Sequence, residues 1–484
     1  MNLITQQEGF SMLALFGLVM ISLVYFLTKK KLNTNERFLV ADRQVSWIRG
    51  AFSIAVSWIW APAIFIASLQ AYTKGIAGAF WFIAPNIICF FIFAPIAIRL
   101  RKLMPEGYTL PQFILKRYND DKKTHLAFLI IFFGYQLGAI IINALAGGTL
   151  LHILTGMNFI IAVLSLSSVA LIYSLISGLE ASILTDIIQM LMILFFGFIL
   201  VPWVIINAGG FSAVVGGLGG VTGEFSNIFN PWIAYSFGIA MTFGLIAGPI
   251  GDQMFFQRGF AVKHDHIIKT FVAGGLLFGL IPITLSLLGF IAANPEFSSM
   301  INVSDPQMVG PLVIGYFLPK AALILFVFMA FAGLSSTLDS AYVAISSLGT
   351  IDIYKKYLKP KADDKELLSI SRKIMILMAI IGTAIALMQP QLLWIFLIYG
   401  ALASAGLFPT IFSIFWKRMT ATGAFWAVTL SLLFGIPLSI YANIVGNAHL
   451  IVLSVVLSVT IGLIICLITG FLNKKSNYNF EKTE

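Results

Sequence analysis

Residues 47–73, WIRGAFSIAVSWIWAPAIFIASLQAYT, and residues 231–257, PWIAYSFGIAMTFGLIAGPIGDQMFFQ, decide how this chain folds. Each is apolar and long enough to cross a bilayer, and each carries helix breakers near its middle. In the first these are Ala61, Pro62 and Ala63; in the second, Gly244, Gly248, Pro249 and Gly251. Pro62 has no N–H to give, and its ring crowds the carbonyl of Trp58, so carbonyls between Val56 and Ile59 are expected to lose their intrahelical partners. Irregular backbone at membrane depth persists only where it is buried in protein or lines a cavity. Pro62, Gly248 and Pro249 are therefore read as interruptions that open a site halfway across the membrane.

Working outward, apolar runs give thirteen candidate spans, at about 9–28, 47–73, 79–103, 124–154, 158–177, 181–206, 231–257, 267–293, 310–347, 371–389, 391–414, 421–443 and 449–472. The charges provide an independent check. Of 30 Lys and Arg, all but Lys74 and Lys320 fall in alternate loops or at their edges. The positive-inside rule then places the N-terminus outside, the C-terminus in the cytoplasm and the chain in the cell (inner) membrane. The two interrupted spans lie five helices apart. An odd-numbered repeat inverts in the membrane, so two five-helix units are expected, 47–206 and 231–414, each beginning with a broken helix. Residues 1–46 add a helix and loop before them, and 421–484 add two helices and a tail.

With 59% hydrophobic and 10% charged residues in 484, the chain needs lipid as its solvent. The net charge of +10 is dispersed over short loops and makes no nucleic-acid surface. Cys89 and Cys466 lie far apart in apolar runs and read as packing residues. No Walker loop, G-x-S-x-G elbow or metal-spaced cluster is present, so no enzyme and no cofactor is expected.

Chemistry is sought in the few polar groups at membrane depth. In AGLSSTLDS, Ala332, Ser335 and Ser336 stand at i, i+3 and i+4, which puts one carbonyl and two hydroxyls on one helical face. Asp339 continues it. A hard monovalent cation wants several neutral oxygens together, and this face opposite the Pro62 interruption offers them. Three carboxylates lie clearly inside spans, Asp186, Asp252 and Asp339, where their cost marks them as functional candidates. Asp186 and Asp339 could share a second cation or a proton. Trp58, Trp60, Ala63, Asp252 and Gln253 flank the interruptions and are the candidate solute contacts.

FLVADRQVSW, LTDIIQ, QRGFAVK and GLSSTLDSAYVAISSLGTIDIYK resemble recurring segments of the sodium:solute symporter family. The resemblance covers nearly the whole chain. It implies an all-α membrane protein with an inverted five-helix repeat, a leucine-transporter-like core, one helix before it and two after. It also implies a sodium ion held by the carbonyls of Val56, Ile59 and Ala332 and the hydroxyls of Ser335 and Ser336. A second sodium site in some members uses serines at positions that are Leu338 and Asp339 here. SWIWAPAIFIASLQAYTKGIAGAFWF and GGLLFGLIPITLSLLG are similar to the urea-transporting branch, although Asp252 stands where asparagine is usual.

The resulting expectation is a sodium-coupled symporter importing urea or a similar small nitrogenous solute, with Na+, solute and lipid as its partners. A proton-coupled symporter of an amino acid or amine is the alternative within transport; a solute sensor or channel is the alternative outside it.

Overall fold

The computed structural model describes residues 4–28, 34–301, 303, 305–473, 478 and 480. Among them, helices account for nearly all regular structure, and the one extended pairing is an isolated bridge between Val45 and Val262. The principal helices are α1 (Gln6–Thr28), α2 (Trp47–Ser57), α3 (Ala61–Leu103), α4 (Lys122–Thr155), α5 (Phe159–Asn207), α6 (Ile239–Gly251), α7 (Gln253–Ala261), α8 (Ile267–Ala293), α9 (Lys320–Ser347), α10 (Asp364–Ala386), α11 (Leu392–Phe415), α12 (Ala421–Ile444) and α13 (Ala448–Leu472).

Among the described residues, twelve helical stretches are long and apolar enough to cross a membrane. One of them, α3, has 43 residues. At 1.5 Å per residue it would be about 65 Å long, twice a hydrocarbon core, so it must be two crossings. The chain turns at Lys74 and Gly75, where Gly75 has φ +55°. Its first part continues α2 across an interruption and its second part returns, which brings the crossings to thirteen. Gly178, with φ +58°, likewise divides α5, and a Cβ there would lie 2.3 Å from the Phe38 carbonyl oxygen.

Residues 329–352 of α9 and its extension are buried on every side, as befits a helix at the centre of a bundle. α9 packs along α4 and α5, while α3 packs along α8. The periphery instead exposes Leu18, Ile206 and Ile380, side chains that only lipid would accept.

Two sequence expectations change. The span read as 310–347 is two helices, Val309–Phe317 and α9, because Pro319 forces Leu318 into extended backbone (φ −119°, ψ 157°). α9 then runs on as a π-helix to Leu358, inside what the sequence presented as a polar loop. The second interruption lies at Asp252 (φ −105°, ψ 113°), whereas Gly248 and Pro249 are helical within α6. Packed neighbours let membrane helices tolerate proline, so Pro249 weakens α6 without ending it.

Candidate functional site

The first interruption comprises Trp58, Ile59 and Trp60. Pro62 sits just inside the second half-helix, where a missing N–H costs nothing, so it seeds that half and is not itself in the gap. Asn143 on α4 caps the same half, accepting from the Ala61 N–H at 2.8 Å. On the other side, the Val56 carbonyl keeps a partner in the Ile59 N–H at 3.0 Å. Sequence reasoning expected it to be released.

α9 lies directly against this gap. The Thr337 hydroxyl is within 3.3 Å of the Ile59 carbonyl and 3.4 Å of the Ser57 carbonyl. A Cβ at Gly333 would stand 3.3 Å from the Ile59 side chain. Ser335 and Ser336 are fully buried on the neighbouring face but engaged elsewhere. Ser335 donates to the Phe331 carbonyl at 2.6 Å and accepts from Gln189 at 3.0 Å; Ser336 donates to Asp186 at 2.5 Å. Ser335 also stands 3.4 Å from the Ala332 carbonyl. The carbonyls of the gap and the polar face of α9 therefore adjoin, and Thr337 is the residue that touches both.

One turn toward the Lys- and Arg-rich end lies a buried polar network. Arg258 on α7, with no exposed surface, donates to Ser53 at 2.9 Å, Asp186 at 3.2 Å and Ser340 at 2.7 Å. Ser53 donates to Asp186 at 2.5 Å. Asp339 accepts from Ser182 at 2.6 Å and Tyr173 at 2.7 Å. All four carboxylate oxygens of Asp186 and Asp339 are partnered, yet the one guanidinium in the network pairs with Asp186 and leaves Asp339 with hydroxyl partners alone. A proton or small cation added here would relieve the excess negative charge.

The second interruption belongs to a different environment. Asp252 caps α7 through the Met254 N–H at 2.7 Å and accepts from Gln136 Nε2 at 2.7 Å, both through Oδ1. Its Oδ2 is buried without a partner, as are Gln136 Oε1 and Trp60 Nε1. One turn before Asp252, a Cβ at Gly248 would lie 2.8 Å from both the Tyr135 hydroxyl and the Trp58 ring. Trp60 packs on Tyr135 with centroids 5.4 Å apart, and the two line a cavity with Met241, Gly244, Leu245 and Tyr399. Its volume, about 10 Å³, is that of roughly one water, so any larger solute requires the walls to part.

The residues expected to contact solute thus separate. Trp60 lines the cavity, whereas Asp252 does not line it and is bonded to Gln136, the sequence neighbour of the lining Tyr135. Trp58 turns into the aromatic core, 4.9 Å from Phe255, with its indole N–H on Asn86 at 3.0 Å. Ala63 is buried in the half-helix and Gln253 points away, donating to the Tyr108 carbonyl at 2.8 Å and Ser347 at 3.2 Å. Thr337, Arg258, Gln136, Tyr135 and Asn143 went unnoticed in the sequence. Arg258 had a signal: an arginine only six residues past a membrane-depth interruption, on a short helix, needs a carboxylate.

A profile of the Sodium:solute symporter family matches residues 38–430. The urea-proton symporter DUR3 of Oryza sativa subsp. japonica is 24% identical over 462 residues, covering 87% of this chain and 63% of its own length. The sodium/glucose cotransporter of Vibrio parahaemolyticus is 28% identical over 447 residues, covering 84% and 79% respectively. Among solved structures, the substrate-bound outward-open state of a Na+-coupled sialic acid symporter superposes with a TM-score of 0.79. It covers 97% of this chain and 98% of that one at 17% identity, a likeness of fold.

Proposed function

Because the chain belongs to the sodium:solute symporter family, we propose that it is a sodium-coupled symporter that imports urea or a similarly small, N–H-rich solute by alternating access. The observation that carries the solute is a set of buried polar atoms that have no partner among the described residues: the donor Trp60 Nε1 on a cavity-lining residue, and the acceptors Asp252 Oδ2 and Gln136 Oε1 of a bonded pair that adjoins the cavity-lining Tyr135 in sequence. A buried polar group without a partner costs about 1–3 kcal/mol, which a ligand of the opposite pattern returns. Urea has one acceptor oxygen and four N–H donors. It answers that set, and its small size suits a cavity that is nearly closed.

The cation is assigned to the junction of the first interruption with α9. There the Ile59 and Ser57 carbonyls, the Thr337 hydroxyl and, after rotation, Ser335 or Ser336 would supply neutral oxygens. Val56 and Ala332 carbonyls complete the set the family resemblance implies. Sodium bound there favours one orientation of the two units, 47–206 and 231–414, and solute bound between the interruptions favours the same one; linkage couples them. The Lys- and Arg-rich end is taken as cytoplasmic, which leaves the N-terminus outside.

A second reading makes the proton the driving ion. It is favoured by Asp252 Oδ2, which has no partner among the described residues, and by the buried Asp339, whose neighbour Asp186 takes the one guanidinium in the network. The relative from Oryza sativa carries proton symport in its name. Proteoliposomes separate the readings: labelled-urea uptake driven by an inward sodium gradient at equal pH supports sodium coupling. Uptake driven only by an inward proton gradient in sodium-free buffer replaces it with the second reading, and uptake with neither sends the solute assignment back to the panel of amines and amino acids.

A further inference from the structure

Away from the proposed transport pathway, the surface carries an open apolar groove, about 600 Å³, between α2, α8 and the second part of α3. Its walls include Trp47, Ala51, Ile87, Ala273, Leu276 and Leu280. Its shape comes from close helix approach. A Cβ at Gly274 would meet Ile54 at 2.5 Å, and one at Gly279 would meet Ile87 at 2.5 Å, so α8 sinks against its neighbours and leaves a channel beside them. The volume falls inside the usual ~300–1,000 Å³ range of small-molecule sites.

An apolar channel facing the bilayer would ordinarily be filled by any lipid tail. Its mouth, however, is charged. Lys269, Ala273, Leu276, Leu280 and Ile283 follow the 4-3-4-3 spacing of one helical stripe, so Lys269 continues the groove one turn toward the basic end. Helical side chains lean toward the N-terminus, which carries its ammonium further toward the headgroup level. The bridge between Val45 and Val262 is closed by Val45 N–H to Ala261 at 3.1 Å and Lys263 N–H to Val45 at 3.0 Å. It brings Lys263 beside the start of α2 and therefore beside Trp47, which is 39% exposed where a membrane-interface indole belongs. Lys263 and Lys269 are exposed and make no ion pair among the described residues. The neighbouring Asp265 faces His264 at 3.1 Å. Arg49 lies on the opposite face of α2, near Glu180.

We propose that this groove is a specific site for an anionic phospholipid, one acyl chain lying along α8 and the phosphate held between Lys263 and Lys269. Each lysine near an anionic lipid surface adds roughly a factor of five to binding, so their joint loss removes ~30-fold. The acyl chain filling the groove braces α8 against α2, the helix that ends at the first interruption, and raises thermal stability by binding only the folded protein.

The test uses the purified full-length protein in detergent, with native mass spectrometry to count adducts and melting temperature as the second readout. Dioleoyl phosphatidylglycerol should bind and stabilise far more than dioleoyl phosphatidylcholine. The Lys263→Gln/Lys269→Gln variant should lose ~30-fold in phosphatidylglycerol affinity, keeping its lipid-free melting temperature. Ala273→Phe, which fills the channel, should lose the adduct by a different route. Equal binding of the two lipids, full phosphatidylglycerol binding by both variants, or an equal shift from glycerol 3-phosphate alone would each overturn the proposal.

Discussion

The cavity beside Trp60 and the network around Arg258 are both buried, both join the two interrupted helices to the helices around them, and differ in how they treat their carboxylates. Around Arg258 every carboxylate oxygen has a protein partner. Around Trp60, a donor and two acceptors have none. Satisfied polar groups fix one arrangement of helices, and unsatisfied ones wait for a ligand. The comparison sets a fully bonded carboxylate pair toward the basic end against a partly unbonded carboxylate at the second interruption, consistent with a clamp in the first place and the proposed solute site in the second.

If that contrast is right, the largest effect should come from breaking the clamp. Arg258→Met strands the buried Asp186 carboxylate and should cost about 3–5 kcal/mol of stability. Adding Asp186→Asn in the same chain should restore part of it, read as coupling in a double-mutant cycle of melting temperatures. Additive losses would mean the pair is not a unit.

On the receptive side, Thr337→Val keeps the shape of the side chain and deletes the oxygen that touches the Ile59 carbonyl. It should weaken sodium activation of uptake by ~10- to 100-fold, the range for interactions with a charged group, with little change in melting temperature. Ser336→Ala should act less on sodium, because its hydroxyl is committed to Asp186. The comparison sharpens if the two differ and blurs if they match.

A smaller effect is expected from Trp60→Phe, which removes the one partnerless donor at the cavity and keeps its aromatic wall. The KM for urea should rise ~5- to 10-fold, about the value of one neutral hydrogen bond, with stability unchanged. Smaller still is a control outside both regions. Asp121 caps α4 by accepting from the Thr124 N–H at 2.8 Å, and that hydrogen-bonding partner holds its carboxyl below the ordinary value. A depressed folded pKa means the contribution is present above the ordinary carboxylate range and lost as pH falls through the folded value. Asp121→Ala should therefore cost roughly 0.5–1 kcal/mol near neutral pH, no more than a helix cap, and progressively less in acid, without touching transport.

Much of the fold was legible because lipid leaves few choices: long apolar runs must cross, and basic loops mark one side. The two interruptions were visible as Pro and Gly, but their positions were not. Proline only disfavours helix, and tertiary packing decides whether it ends one, so α6 ran through Pro249 and stopped at Asp252. The membrane-depth carboxylates Asp186, Asp252 and Asp339 stood out by their cost. Their partners did not, since Arg258 lies 72 residues from Asp186 and only helix registry brings them together. Thr337 escaped notice for a similar reason: Ser335 and Ser336 share a face with Asp339, and the face that meets the Ile59 carbonyl is rotated by one residue.

The most direct test is reciprocal linkage. Urea affinity should be measured by calorimetry on the purified protein in sodium and in potassium, and sodium affinity with and without urea. A shared junction predicts that sodium tightens urea by the same factor by which urea tightens sodium, and that Thr337→Val weakens sodium binding ~10- to 100-fold, so that sodium at the wild-type working concentration no longer tightens urea. Urea binding that is indifferent to sodium, with sodium binding intact in Thr337→Val, would contradict the account.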